Sequence, residues 1–144
     1  MATNKIRVLF VCVHNSARSQ MAEAFLKYFG GERFEVESAG LSPGNLNPIV
    51  VEAMKEEGID ISANRTKRAS DFVESGKTFH YVITLCDQAS AQECPYFPGV
   101  TERLHWSFED PSAFTGSHEE KMMKTRDLRD KIKAKVLEFI RSLS

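Results

Sequence analysis

The sequence predicts an α/β fold: one doubly wound domain over residues 1–144, with a four-stranded parallel sheet and helices on both faces. Strand-like apolar runs alternate with helix-like segments through most of the chain, which is the order typical of such sheets. The first run, residues 6–12, is apolar at almost every position and therefore indicates a strand buried on both faces. A chain of 144 residues is long enough to bury one core.

The first half of the chain predicts two strands and two helices. Residues 6–12 form the first strand, and an apolar stripe predicts a helix over Ser16–Phe29, which the pair Gly30-Gly31 ends. Alternation of apolar and polar residues predicts a second strand over 34–38. Asn47 followed by Pro48 is a helix cap with proline at the first helical position, and this helix should run to about Gly58.

The second half predicts two further strands and a long final helix. Its elements, in order, are a polar and basic connection over 59–70 with a short helix at 71–74, a strand over His80–Cys86, a loop over 87–103, a strand over Leu104–Phe108, and a helix from about Ser117 to the end. We expect Trp106 to lie in the core.

Composition excludes several classes of function. The net charge of −1 carries no long block of one sign, so we expect no nucleic-acid partner. No apolar run is long enough to cross a bilayer, and the first residues lead into a strand without a signal-like segment, so we expect a cytoplasmic protein with no membrane partner. Thiols stay reduced in that compartment, so the three cysteines are not a structural disulfide framework.

Cys12 and Arg18 carry the strongest functional signal. Cys12 ends a predicted strand, and five residues then lead to Arg18 at the start of a predicted helix. Loop N–H groups and a helix N-terminus attract anions, and the same field favours the thiolate form of Cys12. A planar guanidinium at Arg18 suits two oxygens of a tetrahedral anion. Either residue alone is commonly structural, but their joint placement predicts an oxyanion site with a nucleophile.

A second cysteine, Cys86, also ends a predicted strand. The carboxyl ends of parallel strands lie on one edge of the sheet, where such folds bind ligands. If the first and third strands are neighbours, Cys12 and Cys86 share that edge.

The loop Cys12-Val-His-Asn-Ser-Ala-Arg18-Ser19 resembles the phosphate loop of low-molecular-weight protein tyrosine phosphatases. Other segments are more similar to the thioredoxin-coupled arsenate reductases built on that fold. These segments are Arg18–Glu23, Ser38-Ala39-Gly40, Thr84-Leu85-Cys86, Cys94-Pro95 and His105–Pro111. The resemblance covers essentially the whole chain, and the cysteines at 86 and 94 single out the reductases.

The resemblance implies a mechanism for arsenate. Cys12 would attack the arsenic atom as a thiolate, Ser19 would hydrogen-bond that thiolate, and Asp110 would protonate the departing hydroxide. The arsenate oxygens would be held by Arg18 and by backbone N–H groups of the loop residues Val13, His14, Asn15, Ser16, Ala17 and Arg18.

The resemblance also implies a thiol relay. Cys86 would attack Cys12 and release arsenite, Cys94 would attack Cys86, and thioredoxin would reduce the final Cys86–Cys94 disulfide. A disulfide needs Cα atoms within about 7 Å, so the segment 87–93 must bend or unwind. If Cys94 proves dispensable, glutathione acting through a glutaredoxin is the alternative reductant. We expect a monomer that needs no organic cofactor and no metal.

This chain departs from the family at two places. Ala17 fills a loop position that is often cysteine, so a disulfide within the loop is impossible. Some reductases bind potassium, and Asn15, Glu23 and Ser38 match three of those ligands. The fourth, an aspartate, falls near Lys67 or Arg68, where a cation would repel potassium and pair with Glu23 instead. We therefore expect no functional potassium site, with Asn15 and Ser38 organising the loop through hydrogen bonds.

Two alternative functions stay open. The first is phosphomonoester hydrolysis through a Cys12 phosphoenzyme with Asp110 as the acid, although no tyrosine follows the Asp110-Pro111 pair to form an aromatic wall for phosphotyrosine. The second is a non-catalytic anion-binding or thiol-sensing module, in which Asp110 would only form a turn. Histidines are too scattered for a zinc site, and we interpret His14 as a loop member rather than a general base.

Overall fold

The computed structural model describes residues 5–85 and 102–143, and these residues form a parallel sheet covered by helices. The strands are β1 (Ile6–Cys12), β2 (Phe34–Gly40), β3 (Tyr81–Thr84) and β4 (Glu102–His105). The described helices are α1 (Arg18–Gly30), α2 (Pro48–Lys55), α3 (Ala69–Glu74) and α4 (His118–Ser142), with 3₁₀ turns at Gly31–Arg33 and Pro111–Ala113.

The four strands are all parallel and lie in the order β2-β1-β3-β4. Cys12 pairs with Gly40 on one side, while Val11 pairs with Thr84 on the other. Because the strands are parallel, their carboxyl ends meet at one edge, and β1 lies between β2 and β3. The predicted sheet is confirmed, and the end of β1 lies at its middle.

Side chains of β1 alternate between two apolar cores. Val8 and Phe10 face the larger core, which α1, α2 and α4 cover. Leu9 and Val11 face a smaller core that contains Ala69 at the start of α3. This arrangement confirms the prediction of helices on both faces and explains why residues 8–12 are all apolar. Trp106 is buried against Phe10 and Phe139, as expected.

Local signals fixed most helix ends. The Asn47 side chain accepts from the Ile49 amide at 2.9 Å and caps α2, and Ser117 caps α4 in a capping box with Glu120. Gly31 ends α1 with a φ of 60°, a conformation that glycine adopts without strain. Helix α2 is shorter than predicted, because it ends at Lys55 and a turn continues through Gly58.

Several predicted boundaries were wrong. Helix α1 begins at Arg18 and not at Ser16, because the backbone of Ala17 is not helical. Strand β2 continues to Gly40, two residues beyond its predicted end, because β1 pairs with it over its whole length. Strand β3 occupies only Tyr81–Thr84 of the predicted 80–86.

The fourth strand also lies earlier than predicted. It spans Glu102–His105 and not Leu104–Phe108, because its register follows β3, with Tyr81 opposite Glu102. The Trp106 amide still donates to Thr84 O at 2.8 Å, after which the chain leaves the sheet. Most of the predicted loop 87–103 lies outside the described residues. Within those described, no helix is long and apolar enough to cross a membrane.

An ion-pair cluster at Glu56 joins α2 to α4. Glu56 is the C-cap residue of α2, and its ionisation makes the stability of the fold depend on pH. Arg126 binds the Glu56 carboxylate through two nitrogens, and Arg129 adds a third contact at 3.0 Å. The hydrogen bond from Arg126 lowers the pKa of Glu56 from 4.5 to about 2. The carboxylate therefore stabilises the fold above pH 4.5, and this contribution is lost as the pH falls toward 2.

Glu56→Gln should therefore lower the free energy of unfolding at pH 7 but not at pH 2. Urea unfolding of the variant and the wild type across this pH range measures the difference. Glu138→Gln, which removes only a 3.6 Å pair within α4, is the control and should follow the wild type. A Glu56→Gln deficit that stays constant down to pH 2 would contradict the assignment.

Candidate active site

The segment between β1 and α1 is a loop that bonds mainly to one neighbouring segment through its carbonyl groups. Three of its carbonyl oxygens, and that of Cys12 at the end of β1, accept hydrogen bonds from backbone amides of residues 41–47. The pairs are Cys12 O with Leu41 N (3.0 Å), Val13 O with Ser42 N (2.7 Å), His14 O with Gly44 N (3.0 Å) and Ser16 O with Asn47 N (2.9 Å). Since the carbonyls point outward, the amide groups of this loop are left facing the other way.

One amide of the loop points directly at Cys12. The Asn15 amide donates to Cys12 Sγ at 3.2 Å, and the positive φ of Asn15, 55°, turns it there. Among residues 5–85 and 102–143, no acceptor meets the backbone N–H groups of Val13, His14, Ser16 or Ala17. Donors arranged in this way form a concave site for an anion. The structure thus brings together the loop residues that the sequence predicted for an oxyanion site.

Gly40 allows the loop to sit this close to β2. A Cβ atom at Gly40 would lie 2.8–2.9 Å from Asn15 N, His14 C and Val13 O, all of them backbone atoms. From the sequence, this glycine was named only within the segment Ser38-Ala39-Gly40 that is similar to the reductases, and it had no role of its own. Its position directly opposite Cys12 in the sheet was visible only once the register was known.

The Cys12 sulfur is buried and receives a hydroxyl as well as an amide. The Lys67 amide donates to Asn15 Oδ1 at 2.8 Å, which fixes the orientation of the Asn15 side chain. Asn15 Nδ2 therefore donates to Ser19 Oγ at 2.7 Å. The Ser19 hydroxyl lies 2.9 Å from Cys12 Sγ, where it can donate its proton to the sulfur when Cys12 is a thiolate.

Arg18 and Asp110 meet at the same edge of the sheet. Arg18 is buried and donates through Nη1 to the carbonyl oxygens of Phe108 (3.1 Å) and Leu85 (3.4 Å). Its Nη2 lies 3.7 Å from Asp110 Oδ2. The other oxygen of Asp110 accepts from the amide of Ser112 at 3.0 Å and caps the 3₁₀ turn. Asp110 thus forms a turn and also presents a half-exposed oxygen beside Arg18.

The residues matched to a potassium site form an ion-pair cluster. Glu23 accepts from Ser38 Oγ, and Lys67 Nζ lies 3.9 Å from Glu23 Oε1. Lys27 pairs with the other carboxylate oxygen at 2.7 Å. The predicted pairing of Glu23 with a cation is confirmed, with Lys67 as the cation. These residues do not fit potassium, because two ammonium groups already lie beside the single carboxylate of Glu23 and would repel another cation. That the protein has no functional potassium site stays a prediction.

Sequence analysis assigned roles to most, but not all, of the loop's supports. His14 is exposed and its Nδ1 lies 2.9 Å from Ser42 O, consistent with a loop member rather than a base. Gln20 was given no role, although its side chain is wholly buried and contacts Asn15. Its motif position beside Ser19 was a weak signal. Cys86 and Cys94 lie outside the described residues.

Comparisons with known proteins agree with this geometry. Residues 7–144 match the family model described as low molecular weight phosphotyrosine protein phosphatase. The chain is similar to an arsenate reductase of Bacillus subtilis strain 168, with 44% identity over 138 residues, covering 94% of this chain and 95% of that protein.

Two solved structures share the fold. One, described as an arsenate reductase in oxidized state, has a TM-score of 0.78 and 32% identity, covering 96% of this chain and 98% of the other. The other, a thioredoxin-dependent arsenate reductase of Corynebacterium glutamicum, has a TM-score of 0.69 and 31% identity, covering all of this chain and 66% of that one.

Gly40→Ala should displace the loop. Backbone atoms would have to move away from the new methyl group, so we expect a loss of about 1–3 kcal/mol of stability and about tenfold slower alkylation of Cys12 by iodoacetamide at pH 7. Gly44→Ala is the matched control, because its Cβ would make only ordinary contact with His14 at 3.6 Å. Equal alkylation rates in wild type and Gly40→Ala would show that the close approach does not shape the site.

Proposed function

This chain belongs to the low molecular weight phosphotyrosine protein phosphatase family and is an arsenate reductase within it, and we propose that it works through Cys12, Cys86 and Cys94 with thioredoxin as reductant. One observation carries the first step. The Cys12 sulfur is buried within hydrogen-bond distance of the Asn15 amide and the Ser19 hydroxyl, two donors that would stabilise a thiolate.

Arsenate would bind above this sulfur. The N–H groups of residues 13, 14, 16 and 17 meet no acceptor among the described residues, and binding of arsenate oxygens would satisfy them. Arg18 holds its guanidinium between Phe108 O and Asp110, and a doubly charged anion is a stronger partner than a carbonyl oxygen. Arg18 would then stabilise the negative charge of the transition state.

In the first chemical step, the Cys12 thiolate would attack the arsenic atom. A sulfur–arsenic bond forms, an arsenic–oxygen bond breaks, and the oxygen leaves as hydroxide. Asp110, whose Oδ2 lies 3.7 Å from Arg18 Nη2, would give that hydroxide a proton, so that water departs. Arsenic keeps oxidation state five in this adduct.

Reduction would occur in the second step. A Cys86 thiolate attacks Cys12 Sγ, the electron pair of the sulfur–arsenic bond stays on arsenic, and arsenite leaves. Cys94 then attacks Cys86, which frees Cys12 as a thiolate and leaves a Cys86–Cys94 disulfide. Both residues lie outside the described part of the chain. One contact of the described backbone favours attack by Cys86, because Leu85, the residue before it in sequence, bonds to Val11 and accepts from Arg18.

The remaining disulfide requires an external dithiol. Thioredoxin is the reductant named for one structural neighbour, and we propose it for this chain, with glutathione and a glutaredoxin as the alternative. Two sulfurs supply the electron pair, so the proposed chemistry needs no organic cofactor and no metal. We further propose that one chain, acting as a monomer in the cytoplasm, carries the whole cycle.

Phosphate has the shape and charge of arsenate, so a weak phosphatase activity should accompany reduction. A phosphoryl group on Cys12 would be attacked by water rather than by Cys86. This side reaction uses the loop, Arg18 and Asp110 but neither of the other cysteines, and it therefore separates the two halves of the mechanism.

Cys86→Ser and Cys94→Ser should both abolish arsenate-dependent oxidation of NADPH in an assay coupled through thioredoxin and thioredoxin reductase. Both variants should keep hydrolysis of an aryl phosphate, because the oxyanion site is intact. Cys12→Ser should lose both activities.

Full reductase turnover in Cys94→Ser would contradict the relay and indicate resolution by a small thiol. Loss of aryl phosphate hydrolysis in Cys86→Ser or Cys94→Ser would show that these cysteines also shape the oxyanion site. Absence of arsenate turnover in the wild type, with hydrolysis intact, would favour a phosphatase.

A further inference from the structure

Gln20 lies at the centre of the hydrogen bonds that support the loop. Its side chain is wholly buried in the first turn of α1. Nε2 faces three oxygens: Arg65 O at 3.0 Å, Asn15 O at 3.1 Å and Asn15 Oδ1 at 3.2 Å. Two of these are backbone carbonyls, which can only accept, so the side-chain amide orientation is fixed. Oε1 accepts from Asn64 Nδ2 at 3.0 Å.

Asn15 is the residue that Gln20 holds. Asn15 supplies both stabilising contacts of Cys12: its amide reaches Sγ directly, and its side chain orients the Ser19 hydroxyl toward Sγ. Its backbone has a positive φ of 55°, which asparagine adopts more readily than most residues. Gln20 binds its carbonyl oxygen and its side-chain oxygen at once, and so restrains both contacts together.

We propose that Gln20 is a positioning residue for the reaction of Cys12, acting through Asn15 and Ser19. The inference rests on the proposed role of Cys12 as the nucleophile. Gln20 touches neither the sulfur nor the anion site described above. It joins the loop to residues 64 and 65, and thereby keeps two hydrogen-bond donors directed at one sulfur.

Gln20→Met tests the role with a side chain of similar size that cannot donate. The background is Cys86→Ser/Cys94→Ser, so that iodoacetamide reacts only with Cys12. The pH profile of alkylation should move to higher pH, with a rate about fivefold lower on its rising limb and an unchanged limiting rate at high pH, because a less well oriented donor stabilises the thiolate less. Ser19→Ala, which removes the direct bond, should give a larger fall, of about tenfold.

Met54→Ala is the stability control, since Met54 is buried in the core on α2. It should destabilise the protein and leave the alkylation profile unchanged. A Gln20→Met profile that superimposes on the background, or a Met54→Ala profile that shifts equally, would overturn the proposal.

Gln20→Glu supplies a second, pH-dependent signature. An ionised carboxylate would face three oxygens, whereas a protonated one regains a single donor. Aryl phosphate hydrolysis relative to the wild type should therefore improve as the pH falls, and a ratio that is constant with pH would contradict the role.

The wild type gives a test that needs no variant. The Gln20 side-chain NH₂ resonances should move with the titration of Cys12 in ¹H–¹⁵N spectra, and resonances that do not move would overturn the proposal. None of these readouts uses arsenate. If Gln20→Met alters the reactivity of Cys12 but the wild type does not turn over arsenate, the proposed function is wrong and the positioning role stands. If the wild type turns over arsenate but Gln20→Met leaves the reactivity of Cys12 unchanged, the positioning role is wrong and the proposed function stands.

Discussion

The orientation of a single loop is the constraint on which the site depends. Residues 41–47 bind the carbonyl oxygens of the segment that follows β1, so its amides face the Cys12 sulfur. A parallel sheet makes this possible, because the end of β2 must run beside the end of β1, and Gly40 lets the two backbones approach. The anion site is therefore a consequence of strand order as much as of the loop's own sequence.

Ion pairs and hydrogen bonds behind the loop also hold it in place. Glu23, a buried carboxylate, is neutralised by Lys27 and Lys67, and the backbone of Lys67 also fixes Asn15. Lys67 thus contributes its side-chain ammonium group to Glu23 and its backbone amide to Asn15. Gln20 adds a parallel restraint from Arg65, so the 64–67 segment holds the loop from behind. In the proposed mechanism, these contacts let Cys12 remain a thiolate although arsenate is also negatively charged.

Sequence patterns predicted the parts of the structure that local chemistry decides. Residues 6–12 form a strand with the predicted ends because a run that is apolar except at Arg7 ends at the loop there, and Asn47 and Ser117 cap helices through their side chains. Pairing between strands determined the boundaries that the sequence patterns did not predict. The fourth strand begins at Glu102 because β3 sets its register, and most of its residues are too exposed to give an apolar pattern. Gln20 escaped prediction because its backbone partner, Arg65, lies 45 residues away.

The most direct measurement of the loop's role is a phosphate titration of ¹⁵N-labelled protein. We expect the backbone amide resonances of Val13, His14, Ser16 and Ala17 to move downfield together. Their shifts should saturate when one anion is bound. Amides at the sheet's opposite end, such as that of Ile6, should stay in place. Shifts confined to exposed lysine and arginine segments, with the four loop amides unmoved, would contradict the claim that this loop is the oxyanion site.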